Sequence, residues 1–237
     1  MNYDIVHSCL EFSNFYCSVI NLFNRNRNKF ITTIHGVDGI FIDDIYIKKE
    51  VIFSIKTKFI YKILQSILFR FYNEIWTVSN HTKRFLIEKR KLNEKIIKVY
   101  YYGVNIFKIQ NQITPIKEDI ARKKHRIGRN DFVIGYVGRL AYGKGLENLI
   151  ESFSKLNKKF DNLKLLIVGD GEREEIIKKK ISEYNLIDKC ITAGYIKEPY
   201  EYYRLFNVYV LPSMSEGIPI SLLEAMSLRT ISICSNV

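Results

Sequence analysis

This sequence predicts an α/β fold built from two doubly wound, parallel-sheet units. Three observations carry that prediction. Short apolar runs rich in β-branched residues alternate with helical patterns at a spacing that suits strand-helix-strand crossovers. The alternation stops across 105–128, a polar stretch with Pro115 and a run of charges, and then resumes. The chain has 237 residues, 47% hydrophobic and 26% charged, enough for one large domain or two modest ones with a sizeable core.

The elements of the first half follow from local pattern. Residues 4–6 are a short strand candidate, and an aromatic-rich helical stretch covers 9–23. FITTIH, at 30–35, is β-branched and reads as a buried strand, after which Gly36 and Gly39 open a loop. From 47 to 71 the pattern is helical, with a basic side and an aromatic and aliphatic side. EIWTVS, at 74–79, is a strand, and Ser79 or Asn80 can cap the helix that runs on to about Lys89. Residues 96–101 form another strand, and 105–128 read as a connector with one short helix. The second half gives strands at 132–138, 163–169, 190–194, 208–211 and 230–235. Helices fall within 143–159 and at 172–184, 200–206 and 218–227. The expected division is a first unit at 1–110, a linker at 111–129 and a second unit at 130–237. The first half supplies only three or four strands and the last strand has nothing after it to close the sheet, so both units read as incomplete and both ends as cut.

Charge separates the halves. Residues 1–128 hold 22 Lys and Arg against 11 Asp and Glu, whereas 129–237 hold 15 against 14. A basic half suits an anionic partner such as a membrane surface, a phosphorylated lipid or a nucleic acid. The same excess also follows from an AT-rich genome, since Ile, Lys, Asn, Tyr and Phe are abundant together. No nucleic-acid-binding motif accompanies it, so a nucleic-acid partner is not expected. On a helix over 47–71, Phe59, Ile63, Ile67 and Phe71 form a stripe with Lys58 and Lys62 beside it and Lys48, Lys49 and Lys56 nearby. That layout suits peripheral contact with an anionic membrane, and it suits ordinary core packing with solvated lysines equally well. Cys9, Cys17, Cys190 and Cys234 form no CxxC pair, and no His/Cys spacing resembles a zinc site. Scattered cysteines and the lack of a signal-peptide layout point to the cytoplasm.

Chemistry concentrates after the strands of the second half, where ligands of parallel sheets bind. Strand 132–138 runs into Gly138-Arg139-Leu140, and Gly143-Lys144-Gly145 then opens a helix. A guanidinium, an ammonium and a helix N-terminus together suit a diphosphate. A Gly-rich turn with two solvated cations fits the same residues, and neither the Walker spacing nor GxGxxG is met. Gly169-Asp170-Gly171 allows close approach of a flat ligand such as a base, or is a tight turn with Asp170 capping the next helix. In PSMSEGIPISLLEA, Glu216 precedes a helix and Glu224 lies within it, eight positions on, so the two carboxylates can share a face. Glu224 sits among apolar residues, where a carboxylate needs partners. Two vicinal hydroxyls of a ribose would satisfy it, and a solvent-facing position would spare it the need.

VGRL…GKG, LLIVGDG, AGY and YVLPS…EGIPISLLEAM, in this order and spacing, resemble the nucleotide-sugar-binding domain of glycosyltransferase family 4. The likeness covers 132–237, and TIHG, TVSNHT and GVN extend it more weakly into the first half. The resemblance implies a GT-B fold: two Rossmann-like domains facing across a cleft. It implies retaining, metal-independent transfer of a sugar from a nucleotide-diphosphate donor to a glycan or lipid-linked acceptor, in cell-surface polysaccharide or lipopolysaccharide synthesis. An inactive chain that binds nucleotide sugar without turnover is the alternative. By this likeness Arg139 and Lys144 bind the donor diphosphate, and Glu224 holds the ribose. Tyr195 lies near the base. Glu216 contacts the donor sugar, with Gly217 and Ile218 offering backbone N–H groups, and His35 approaches it from the other domain. A lipid-linked acceptor would bring the protein to the inner face of the cell membrane. The chain departs from the family at Arg229 and Ile231, where Gly and Pro are usual.

Overall fold

Apolar, β-branched runs bounded by turn residues become strands in the computed structural model of the protein, which describes residues 3–9, 11–23, 28–36 and 67–237. The chain divides into two units, Met1–Tyr102 with Ser215–Ile218, and Gly103–Met214 with Pro219–Val237.

In the first unit β1 (Ile5–Cys9), β2 (Lys29–Ile34), β3 (Glu74–Thr77) and β4 (Ile97–Val99) form a parallel sheet in the order β1-β2-β3-β4. Alternation along the strands gives it two faces of different character. On one face Phe30, Ile34, Ile75 and Ile97 pack with Phe69, Tyr72, Leu86 and Leu92. The helices α1 (Glu11–Phe23) and α2 (Asn80–Arg90) contribute to that layer. On the other face Lys29, Glu74 and Lys98 lie on a diagonal, since Glu74 pairs with Ile31, two residues past Lys29, and Lys98 pairs with Trp76, two residues past Glu74. Glu74 accepts from Lys29 Nζ, Lys98 Nζ and Trp76 Nε1, each at 2.8 Å. These bonds pull its pKa down to about 2. Ser79, rather than Asn80, caps α2, its Oγ accepting from Thr82 N at 3.1 Å. The helical pattern expected over 47–71 lies outside the described residues up to position 66. Beyond it, Leu68 and Phe69 are buried while Ile67 is exposed.

The second unit begins with two helices, α3 (Ile106–Gln112) and α4 (Pro115–Lys124), where the sequence pattern suggested one. They bury only Ile109 and Ala121, so their periodicity is weak in a polar stretch. Capping starts both: Asn105 Oδ1 accepts from Lys108 N at 2.9 Å, and Thr114 Oγ1 from Lys117 N at 3.3 Å. Pro115 begins α4 as a first-turn proline instead of breaking a loop.

Five parallel strands follow: β5 (Phe132–Val137), β6 (Leu163–Val168), β7 (Cys190–Gly194), β8 (Val208–Leu211) and β9 (Ser232–Cys234). Their order is β7-β6-β5-β8-β9. The chain thus steps outward from β5 in one direction, returns, and steps outward in the other. That reversal puts a topological switch point at the carboxyl ends of β5 and β8. The connecting helices are α5 (Leu146–Asn157), α6 (Glu174–Glu183), α7 (Tyr200–Leu205) and α8 (Ile220–Ser227). On α5, Leu146, Leu149, Ile150 and Phe153 are buried at helical spacing and pack on the sheet with Val133, Leu165 and Ile167. Helix ends reverse on left-handed residues that are not glycine: Arg126, Asn185 and Arg229 lie at φ 52°, 55° and 59°. In each case the next N–H reaches five residues back, from Ile127 to Arg122 O, Leu186 to Ile181 O and Thr230 to Ala225 O. Arg229 therefore occupies the backbone conformation that the family's usual glycine adopts most cheaply. Among the described residues no helix is long and apolar enough to cross a membrane.

Candidate functional site

The loops that leave β5, β6, β7 and β8 are joined to one another through main chain. Gly138 N donates to Val168 O at 3.0 Å, Leu140 N to Asp170 O at 2.7 Å, Gly169 N to Gly194 O at 2.8 Å, and Met214 N to Gly143 O at 2.7 Å. Two glycines are required by this closeness. A Cβ on Gly145, at φ +70°, would fall 2.0 Å from Pro212 O, and one on Gly169, at φ +138°, 1.9 Å from Gly138 O. The expected capping role of Asp170 is not found: α6 starts at Glu174, and the Asp170 carbonyl instead holds the loop after β5.

Arg139 and Lys144 sit on this rim. The Arg139 side chain is 70% exposed, with Nη2 3.6 Å from Glu172 Oε1. An exposed pair of that length is worth at most ~1 kcal/mol, so a diphosphate able to take two guanidinium bonds can displace it. Lys144 lies between Gly143 and Gly145 at the start of α5, whose N-terminus has no side-chain cap. Free N–H groups in the first turn add to the attraction for an anion. Ser213, on the strand-exit loop that meets this turn, is fully buried, and its Oγ finds no protein partner among the described residues.

A cleft of about 280 Å³ lies beside the Arg139 loop, lined by Gly138, Arg139, Gly169, Asp170 and Tyr195 among others. Tyr195 is 67% exposed at its mouth. Backbone glycines on one wall and an aromatic ring at the edge suit a flat ring such as a base. A larger groove of about 600 Å³ runs along α5, β8 and β9 and is almost wholly apolar, without the charges this chemistry needs.

Glu224 lies within α8 and is half-buried, not solvent-facing. Its Oε2 accepts from Tyr203 Oη at 2.8 Å. Burial raises its pKa, and the Tyr203 bond opposes that shift. Glu216 precedes α8, in the loop, so helical periodicity does not aim it along the face of Glu224.

Glu216, Gly217 and Ile218 fall within the segment grouped with the first unit. There the Gly217 backbone lies against the His35 carbonyl, where an added Cβ would come within 1.8 Å of the oxygen. His35 follows β2 and is exposed; its Nδ1 is hydrogen-bonded to Tyr102 Oη, and the rings lie 5.5 Å apart. Burial, and then the charge of His7, lower the His35 pKa from its ordinary value. Among the described residues no three His, Cys, Asp or Glu side chains gather as a metal would require. Pattern reading missed Tyr203 and Glu172. Tyr203 comes from another helix, 21 positions before Glu224, and nothing local announces it. Glu172 was readable only as the start of a helix.

A parallel sheet whose switch point carries a glycine-bounded cationic loop, an uncapped helix and a base-sized cleft is a Rossmann-like unit of the kind that binds anionic ligands there. The family described as Glycosyl transferases group 1 matches residues 117–237, and the chain belongs to that family. It is 29% identical over 186 residues to the capsular polysaccharide biosynthesis glycosyltransferase CapM of Staphylococcus aureus, covering 76% of this chain and 47% of CapM. It is 28% identical over 183 residues to the UDP-Gal:alpha-D-GlcNAc-diphosphoundecaprenol alpha-1,3-galactosyltransferase of Escherichia coli, covering 76% of this chain and 47% of that enzyme. The structure of Anabaena HepE in complex with UDP-glucose superposes with a TM-score of 0.78 at 17% identity, covering 99% of this chain and 60% of HepE. The chain thus spans about half the length of the curated relatives it matches, and its fold is that of GT-B glycosyltransferases.

Proposed function

We propose that the protein is, or forms part of, a retaining glycosyltransferase that moves a sugar from a nucleotide-diphosphate donor to a glycan or lipid-linked acceptor. The observation that carries this reading is the rim of the second unit. Arg139 and the Lys144 turn are tied by main chain to the base-sized cleft, and α8 with Glu224 follows directly from the strand-exit loop that braces the turn. In this reading the diphosphate takes Arg139 from Glu172 and sits over the first turn of α5. The base enters the Tyr195 cleft and the ribose hydroxyls bond to Glu224. As the glycosidic bond breaks, negative charge grows on the departing diphosphate, and in this reading Arg139 and Lys144 offset it. Fixed positive charge of this kind does the work a divalent ion does elsewhere, so the reading needs no metal. Glu216, the Gly217 and Ile218 backbone and His35 serve the sugar. CapM and the Escherichia coli galactosyltransferase, by what they act in or on, support polysaccharide or lipid-linked acceptors, and UDP in the HepE structure supports a uridine donor. A lipid-linked acceptor would hold the protein at the inner face of the membrane.

Arg139→Ala and Lys144→Ala test the reading, with UDP binding followed by calorimetry and nucleotide release from UDP-sugars followed in the longest reading frame. Each variant is expected to lose about 100- to 1000-fold in turnover. Near-full rates and unchanged UDP affinity in both would overturn it.

A further inference from the structure

We infer that Tyr203 is a positioning residue for nucleotide binding: it holds one oxygen of Glu224 from inside the unit so that the other is presented to the vicinal hydroxyls of a ribose. The inference rests on the ribose role proposed for Glu224 and adds the group that fixes its geometry.

Tyr203 lies on α7 and is fully buried, yet its hydroxyl reaches Glu224 Oε2 at 2.8 Å. The ring cannot swing. It packs at 5.7 Å, centroid to centroid, against both Phe206 and Tyr209. Its own carbonyl accepts from Thr230 Oγ1 at 3.1 Å, which ties α7 to the residue just past α8. A second buried phenol reinforces the arrangement. Tyr209, on β8, donates to Ser221 Oγ at 2.8 Å, and Ser221 and Glu224 lie one turn apart on α8. Two phenols from two other elements therefore pin one face of this helix.

A carboxylate has two oxygens and about four acceptor positions. The phenol occupies one of them, and the Glu224 side chain has no other hydrogen-bond partner among the described residues. Because Glu224 is only half-buried, the remaining positions can meet a ligand. A vicinal diol brings two O–H donors to a carboxylate already held in place, so no rotamer entropy is lost at the moment of binding. The chemical consequence is discrimination: a ribonucleotide satisfies the held carboxylate, and a 2′-deoxyribonucleotide leaves part of it unpaired.

The test uses the whole chain, with UDP and 2′-deoxy-UDP as probes in calorimetric titrations. The wild type is expected to prefer UDP by about tenfold, the usual scale for one hydrogen bond to a charged group. Tyr203→Phe keeps the buried ring and removes only the hydroxyl. It should lose most of that preference by weakening UDP while leaving 2′-deoxy-UDP nearly unchanged. Glu224→Asp keeps the charge but draws the carboxylate away from the phenol, and it should behave the same way. If Tyr203→Phe retains the full preference while Glu224→Gln abolishes it, the ribose assignment stands and the inference about Tyr203 is wrong. If Tyr203→Phe weakens both ligands equally and lowers the melting temperature, its role is only structural and the inference is likewise wrong. If Glu224→Gln keeps the preference, the ribose assignment itself falls and takes the inference with it.

Discussion

The two sheets of this protein are built alike and stabilised differently. Among the described residues, the buried polar groups of the first unit include Ser8, Asn14, Ser18, Asn21, Thr32, Thr33, Thr77 and Thr82, whereas those of the second are Ser154 and Ser213. The first core is laced around Asn14: its Oδ1 accepts from Thr32 Oγ1 at 2.8 Å, and its carbonyl accepts from Tyr72 Oη at 2.8 Å and Ser18 Oγ at 2.7 Å. The second core is aliphatic and aromatic, with Leu165, Leu166, Ile167, Ile150 and Phe153 all fully buried. A polar core gains from specific partners and fails when one is removed. An apolar core gains from area and fails when volume is removed. The candidate site residues follow the same division, since the unit with the apolar core carries its charges on the strand-exit rim, outside the packing.

The comparison breaks most sharply at Phe153. Phe153→Ala should destabilise the second unit by about 3–5 kcal/mol in urea denaturation, through lost burial and the cavity left behind. Asn14→Leu should cost the first unit about 1–3 kcal/mol by leaving the Thr32 hydroxyl unpaired. Adding Thr32→Val to Asn14→Leu should recover part of that loss, which an apolar core would not do. Acid sharpens the contrast further. The Glu74 pKa is held at about 2, below the usual 4.5 of the group, so its contribution is full above the ordinary carboxylate range. It is lost as pH falls from there towards 2, and melting curves taken across that window should show the first unit weakening, with Glu74→Gln flattening the slope. The smallest expected effect is at Arg229, where Gly would adopt φ 59° without strain; Arg229→Gly should raise stability by about 1 kcal/mol.

The strands of the second unit were legible because each is a short apolar run closed by a turn residue; β7 and β8 fall at the residues the pattern marks. Helix ends were harder, because Arg126, Asn185 and Arg229 stand where glycine would normally announce a stop. The stretch from 105 to 128 was misjudged for a related reason. Its helices bury one residue each, so their signal lay in Asn105, Thr114 and Pro115 at their starts instead of in periodicity. At the site, Arg139, Lys144 and Glu224 could be singled out because strand-exit loops and a carboxylate among apolar residues are local features, whereas Tyr195 was marked only by the family likeness. Tyr203 and Glu172 could not, since their meaning depends on which loops and helices the sheet order brings together. The bond between Glu224 and Tyr203 joins residues 21 positions apart and belongs to the fold, not to any motif.

The rim that carries the cations has a consequence for inheritance. Its shape is written in amides and carbonyls, with Gly138, Leu140, Gly169 and Met214 each donating to a neighbouring loop. Gly145 and Gly169 leave no room for a side chain, so those two positions are closed to variation. The side chains at 139, 172 and 195 project from the same rim without holding it together, and they are open to it. Recognition can drift in such a protein while the scaffold stays still, so descendants of one fold can diverge in the ligand they select without first becoming unstable.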